Sequence, residues 1–213
     1  MLLRKAIRII MMETKKITDR ISFIPEIREP LSAEVFLIQG DEYLYIFDVG
    51  YSDEVTEYLN SLNVKKKVII SHFHRDHLGN FAKTDYDEIY IGNFAKKYVQ
   101  DGTVVTEPVK IHDGIDITIY PIPSSHAKSC LCLVAEGIVF LGDAAYPEEK
   151  DGKSYYNVTL LKEQQDFLES LDVKNAINSH EDGRLRRIQV IKRMLSVHYV
   201  KREQGNPLIE VTE

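Results

Sequence analysis

Short apolar runs alternate with polar turns along most of this chain, and their spacing predicts a mixed α and β protein. Ala33 to Ile38 and Tyr43 to Phe47 are rich in Val, Ile, Phe and Tyr and flank Gln39-Gly40-Asp41, the pattern of a β-hairpin. Ile17 to Ile24 is expected to pair nearby. Asp53 to Leu62 sets Val55, Tyr58, Leu59 and Leu62 at helical spacing, and Val68-Ile69-Ile70 follows as an apolar strand that runs straight into Ser71-His72. Glu88 to Ile91 reads as a strand, Asn93 to Gln100 as a helix, and Val104 to Tyr120 as short strands broken at Asp113-Gly114. A second hairpin is expected from Leu131 to Val134 and Ile138 to Leu141, ending at Gly142-Asp143. Leu160 to Leu171 reads as a helix and Ala176-Ile177-Asn178 as a short strand. Leu185 to Val200 reads as a last helix with Leu185, Ile188, Ile191, Leu195 and His198 on one face. Strands in clusters with helices between them predict sheet packed on sheet, with helices outside.

At 213 residues the chain fits one domain, expected to run over 1–213, with 1–12 a disordered or mis-assigned start. Its formal charge of −6 argues against a protein that wraps nucleic acid, because phosphate binding is carried by Lys and Arg. Cys130 and Cys132 sit two apart in an apolar run, on one face of a strand, and read as buried hydrophobes in a reducing compartment. Arg4, Lys5 and Arg8 split the apolar N-terminus, so no export signal is read there, and no run approaches the ~20 apolar residues of a membrane span. The expectation is a cytoplasmic protein acting on a small molecule, without a nucleic-acid or membrane partner.

The chemistry concentrates in Ser71-His72-Phe73-His74-Arg75-Asp76-His77-Leu78-Gly79-Asn80. His72 and His74, in an extended turn after a strand, project the same way and can bind one metal ion. Asp76 and His77, where the chain turns into a helix, can bind a second. Imidazole and carboxylate without thiolate suit Zn²⁺ first, with Fe or Mn as further options. One loop cannot fill a two-metal site. Three more candidates follow strands: His126 after Pro121-Ile122-Pro123-Ser124-Ser125, Asp143 after Phe140-Leu141-Gly142, and His180 after Ile177-Asn178-Ser179. Of the other histidines, His198 reads as a satisfied core residue and His112, beside Asp113-Gly114, as a turn residue.

In this order and spacing the residues resemble the metallo-β-lactamase superfamily along nearly the whole chain. The resemblance implies an α+β fold, an αββα sandwich with a metal site at one edge. It implies that His72, His74 and His126 hold one metal, that Asp76, His77 and His180 hold the other, and that Asp143 bridges them. Asp48, in Phe47-Asp48-Val49-Gly50, would orient the histidine loop by accepting backbone hydrogen bonds. A bridging Asp, rather than the Cys or Ser of the antibiotic-hydrolysing subclasses, makes β-lactamase activity unexpected and resembles glyoxalase II and other thioester, lactone and phosphodiester hydrolases. Two features depart from glyoxalase II: Lys128 follows His126, and only 33 residues follow His180.

Tyr146, three residues past Asp143, resembles a lactonase tyrosine that polarises the substrate carbonyl. Arg184 is placed at the start of the last helix, where it could anchor an anionic substrate group, and Lys128 is expected beside the site as a substrate-binding residue that helps carry the developing oxyanion. Lys65-Lys66-Lys67 reads as a plain surface run. The expected reaction is hydrolysis of an ester, thioester or lactone by a hydroxide shared between two zinc ions, held by Asp76 and Asp143. Rival readings are a mononuclear iron enzyme resembling persulfide dioxygenases, a nuclease or phosphodiesterase on the same fold, and a non-catalytic metal-binding domain.

Overall fold

The computed structural model describes residues 12–211, so the expectation for residues 1–12 lies, but for Met12, outside them. In chain order, β1 (Lys15–Lys16) and β2 (Ile21–Ile24) are followed by a small hairpin of β3 (Ile27–Arg28) and β4 (Leu31–Ser32). Then come β5 (Val35–Gln39), β6 (Tyr43–Phe47), helix α1 (Asp53–Ser61), β7 (Lys65–Ile69), the single helical turn α2 (Arg75–Leu78), β8 (Glu88–Ile91) and β9 (Thr103–Val104). These strands form a seven-stranded sheet in the order β1-β2-β5-β6-β7-β8-β9, parallel from β6 to β9. A second sheet follows: β10 (Val109–His112), β11 (Asp116–Ile122), β12 (Cys130–Ala135), β13 (Ile138–Phe140), then β14 (Glu148–Lys150) and β15 (Lys153–Asn157) outside it. Helix α3 (Val158–Ser170), β16 (Asn175–Ile177), β17 (Arg186–Arg187), helix α4 (Ile188–Tyr199) and β18 (Leu208–Val211) complete the described chain. The second sheet runs β10-β11-β12-β13-β16-β17, and β14-β15-β18 form a small sheet of their own.

The two large sheets pack face to face. Alternation along each strand assigns the faces: Phe36, Ile38, Tyr45 and Phe47 point into the sandwich, where Phe140 meets Phe36 with ring centroids 5.1 Å apart. Val35, Leu37, Leu44 and Ile46 point outward onto Val55 and Leu59 of α1. On the far side Cys130, Cys132 and Val139 pack with Leu161 and Leu168 of α3 and Ile188, Ile191 and Leu195 of α4. Each sheet is thus covered on both faces, which is why its strands read as continuous apolar runs. The layering is αββα, and the cysteines are free, buried and on one face as expected.

Several local expectations change. Lys65-Lys66-Lys67 is the first three residues of the five in strand β7: Lys66 is 5% exposed, and Lys67 pairs with Glu88 at 3.0 Å and lies over the Tyr43 ring. Their aliphatic stems let a strand carry three charges. Asn93–Lys97 is a 3₁₀ turn rather than a full helix. The last helix starts at Ile188, so Arg184 lies in the loop before it, and Arg186 and Arg187 are strand. The segment from Tyr146 to Val158, to which the sequence pattern assigns no element, contains the β14–β15 hairpin, and β18 pairs with it.

Phe140 is fully buried between Phe36 and Phe47. Phe140→Ala is expected to cost about 3–5 kcal/mol, against less than about 0.5 for Val190→Ala on the exposed face of α4. Denaturant midpoints measure both, and equal midpoints would refute this assignment of the core.

Candidate metal centre

Asp48 follows β6, Ser71 to His77 follow β7, His126 follows β11, Asp143 follows β13 and His180 follows β16. The β6–β7 and β13–β16 pairs are parallel, so their C-terminal ends open on the same edge of the sandwich. Gly142 lets the two sheets close there: a Cβ on it would lie 2.6 Å from Cβ of Ser71. Its φ of +55° also favours glycine.

All seven residues of the expected ligand set converge. Oδ2 of Asp143 lies 3.2 Å from Nε2 of His77, 3.4 Å from that of His126, 3.6 Å from that of His180 and 4.0 Å from that of His72. Nδ1 of His74 is 3.1 Å from Nε2 of His126. Oδ2 of Asp76 is 3.2 Å from Nε2 of His180 and 3.5 Å from Nε2 of His77. Two groups of possible ligands result, His72-His74-His126 and Asp76-His77-His180, with Asp143 against His72 and His77 between them.

The hydrogen bonds on the far side of each ring fix which nitrogen faces the centre. Nδ1–H of His77 donates to Oδ2 of Asp48 at 2.8 Å, that of His126 to the Pro147 carbonyl at 3.1 Å, and that of His180 to Oε2 of Glu26 at 3.0 Å. These acceptors cannot donate, so in the neutral imidazole, the form that binds a metal, each Nε2 carries the lone pair and faces inward. For His72 the partner of Nδ1 is the Ser71 hydroxyl at 2.9 Å, whose own proton goes to Asp48 at 2.8 Å. Nε2 of His72 and Oδ1 of Asp143 are buried with no hydrogen-bond partner among the described residues. Buried unpaired nitrogen and oxygen atoms facing a cluster of imidazoles and carboxylates are what two divalent cations require. The residues present fit a dinuclear metal site.

The charges are strongly coupled. Burial drives the His72 imidazole well below its ordinary pKa. For His77 the same burial is outweighed by the Asp143 and Asp48 carboxylates, which hold it well above. Burial would raise Asp76, but its hydrogen bond to His180 and the charge of His77 bring it down to about 2.

Asp48 is fully buried, with φ +64°, and its carboxylate also accepts the Ser71 backbone N–H at 2.7 Å. Sequence reasoning missed two further acidic residues. Glu34, fully buried, accepts the backbone N–H of His180 and, at 2.7 Å, that of Asp182, so it pins a loop in which His180 has φ +63°. Glu26, between β2 and β3, holds the His180 ring. A carboxylate inside the apolar run Ala33 to Ile38 was a readable signal for Glu34; Glu26 carries none.

The expected substrate residues divide. Lys128 is exposed on the wall of a cleft that reaches His74 and His126. Tyr146 donates its hydroxyl proton to the Ser179 carbonyl at 2.7 Å, so that proton is turned into the fold and does not face a substrate oxyanion. Arg184 is exposed, and Arg186 instead pairs with Glu181 at 2.6 Å. His198 is half-buried against Tyr156, its Nδ1 without a partner among the described residues, so it is not a satisfied core histidine. His112 ends β10 and pairs with Asp116 at 2.6 Å.

Comparison with known proteins identifies the fold. A scan against protein-family models and a search of curated proteins each returned no match. Among solved structures, a flavoprotein from Thermotoga maritima aligns with 17% identity and TM-score 0.63, over 89% of this chain and 60% of that one. A metallo-β-lactamase from Pontibacter korlensis aligns with 15% identity and TM-score 0.61, over 87% of this chain and 97% of that one. Another metallo-β-lactamase, named for an active-site glutamic acid, aligns with 14% identity and TM-score 0.65, over 89% and 92%. The chain has the metallo-β-lactamase fold, and it spans about 60% of the length of the Thermotoga flavoprotein.

Glu26→Gln keeps the volume but weakens the grip on His180. It is expected to lower metal affinity at Asp76-His77-His180 by about tenfold to a hundredfold. The His72-His74-His126 group should still load. Calorimetric metal titration separates the two steps, and two unchanged affinities would reduce Glu26 to a bystander.

Proposed function

We propose that this chain is a dinuclear metal-dependent hydrolase that cleaves an ester, thioester or lactone bond of a small molecule. The observation that carries the reading is the placement of Asp143, whose Oδ2 lies within 4.0 Å of four imidazole nitrogens drawn from both sheets. Two bound divalent ions, zinc in the first instance, would supply Lewis acidity and lower the pKa of a shared water towards neutrality. Asp143 holds the two ligand groups at a common centre. Asp76, partly exposed beside His77 and His180, stands where a carboxylate can take and return a proton as the leaving group departs. Tyr146 acts on the Ser179 carbonyl and so braces the His180 loop, a positioning part in place of the expected catalytic one.

Two findings support this reading over a non-catalytic metal domain. Every ligand position is filled, and the centre opens onto a cleft of about 770 Å³ at His74 and His126, within the usual range for small-molecule sites. Glyoxalase II-like and lactonase-like activities are the finer options. Iron is the metal to test beside zinc, since one of the fold neighbours is named a flavo di-iron protein.

Protein purified without added metal is expected to contain about two metal ions per chain and to turn over one carboxylic ester class, with β-lactams inert. Asp143→Ala should lose bound metal together with at least about a hundredfold in kcat/KM. Elemental analysis and a thioester, lactone, phosphodiester and β-lactam panel make the test. One iron per chain with no hydrolysis would overturn the proposal in favour of the mononuclear iron reading.

A further inference from the structure

The cleft at the metal centre has a chemical character of its own. It runs from His74 and His126 between Phe94, on the turn after β8, and Leu208, on β18, with Phe73, Ile122 and Leu160 also on its walls. Phe73 and Phe94 are in contact, ring centroids 4.6 Å apart, and Phe73 meets the His74 ring at 4.8 Å, so an apolar wall begins beside the metal ligands.

The charged groups on these walls do not make an anion site. Among the described residues Lys128 is the one lysine or arginine on the wall, its Nζ 5.6 Å from the Phe94 ring centroid, with Lys97 against the same ring at 4.0 Å, while Glu148 and Glu149 place two carboxylates there. Helix α3 begins at the cleft, but most of its first donors are already bonded. Val158 N–H bonds the Pro207 carbonyl, Leu160 N–H bonds the Asn157 side chain, and Asn157 N–H bonds Ser125 Oγ. A phosphodiester would meet two wall carboxylates and a helix N-terminus with most of its donors already bonded.

We infer that this cleft takes the neutral, apolar acyl chain of a carboxylic ester, thioester or lactone and discriminates against phosphodiesters. The inference rests on the hydrolase reading and narrows it. The scissile carbonyl lies at the His74 and His126 end, and the chain extends along Phe94 towards Leu208. Charge at the wall, rather than the metal ligands, then separates acyl from phosphoryl substrates.

The test uses metal-loaded protein with butanoyl, octanoyl and dodecanoyl thioesters and an aryl phosphodiester. Straight-chain methyl ketones, which carry the carbonyl and chain but cannot be hydrolysed, are titrated by calorimetry alongside. Partial burial of the added methylenes should raise kcat/KM about tenfold or more from butanoyl to octanoyl. Phe94→Ala should flatten that gain, and Glu148→Lys, at an exposed position, should relax discrimination against the phosphodiester severalfold. Chain-length-independent turnover overturns the inference while leaving the hydrolase reading intact; preference for the phosphodiester overturns the inference and moves the hydrolase reading from carboxylic to phosphate esters. With no turnover of any ester, ketone affinity that rises with chain length retains the acyl cleft and removes the hydrolase reading; ketone affinity without that rise removes the acyl cleft as well.

Discussion

The buried carboxylate of Asp48 is the contact on which the centre depends. A carboxylate fully removed from water costs several kcal/mol unless its oxygens are bonded. Here they accept the Ser71 backbone N–H, the Ser71 hydroxyl and Nδ1–H of His77. Through Ser71 the same group reaches Nδ1 of His72. One side chain at the end of β6 therefore sets the ring orientation of one ligand from each metal group. Losing it would leave buried donors unpaired as well as loosen the rings, which is why a residue that touches no substrate can govern metal affinity.

The sandwich and the centre constrain each other. Asp48 and His180 both hold left-handed backbone angles that cost a non-glycine residue free energy, and both are locked by buried acceptors or donors around them. Glu34 does for the His180 loop what Asp48 does for the histidine loop: a buried carboxylate gathers backbone N–H groups and fixes a side chain that faces the centre. The two anchors come from the seven-stranded sheet, yet the His180 loop belongs to the other. Closure of the sandwich at Gly142 and assembly of the ligand set are then one event, because the approach that Gly142 permits brings Asp143 to His72 and His77.

Local pattern made the layers legible, because strands covered on both faces must be apolar throughout, as Val35 to Ile38 and Leu131 to Val134 are. The seven converging residues were legible because histidine is rare and because each one follows a strand. What stayed hidden depends on long-range contacts. Glu26 is an ordinary loop acid until the fold brings it to His180, 154 residues away. Nothing local shows that the Tyr146 proton goes to Ser179. The β14–β15 hairpin was readable in principle, since Asp151-Gly152 is a strong two-residue turn signal and both residues have positive φ. Its strand Lys153–Asn157 is too polar to stand out, and its partner β18 lies some fifty residues on.

That small sheet bears most on how the shared fold acquires its own chemistry. The ligand set needs the ends of β6, β7, β11, β13 and β16, so the sandwich leaves those positions little freedom. Glu148, Glu149 and Leu208 come instead from β14 and β18, outside both large sheets, where substitutions cost the sandwich core little. A metal centre held by buried carboxylates can stay unchanged while this outer sheet alters the size and charge of the cleft. Under the proposed reading, selectivity in this chain would rest largely on this outer sheet, which lies outside the motif that reveals the metal.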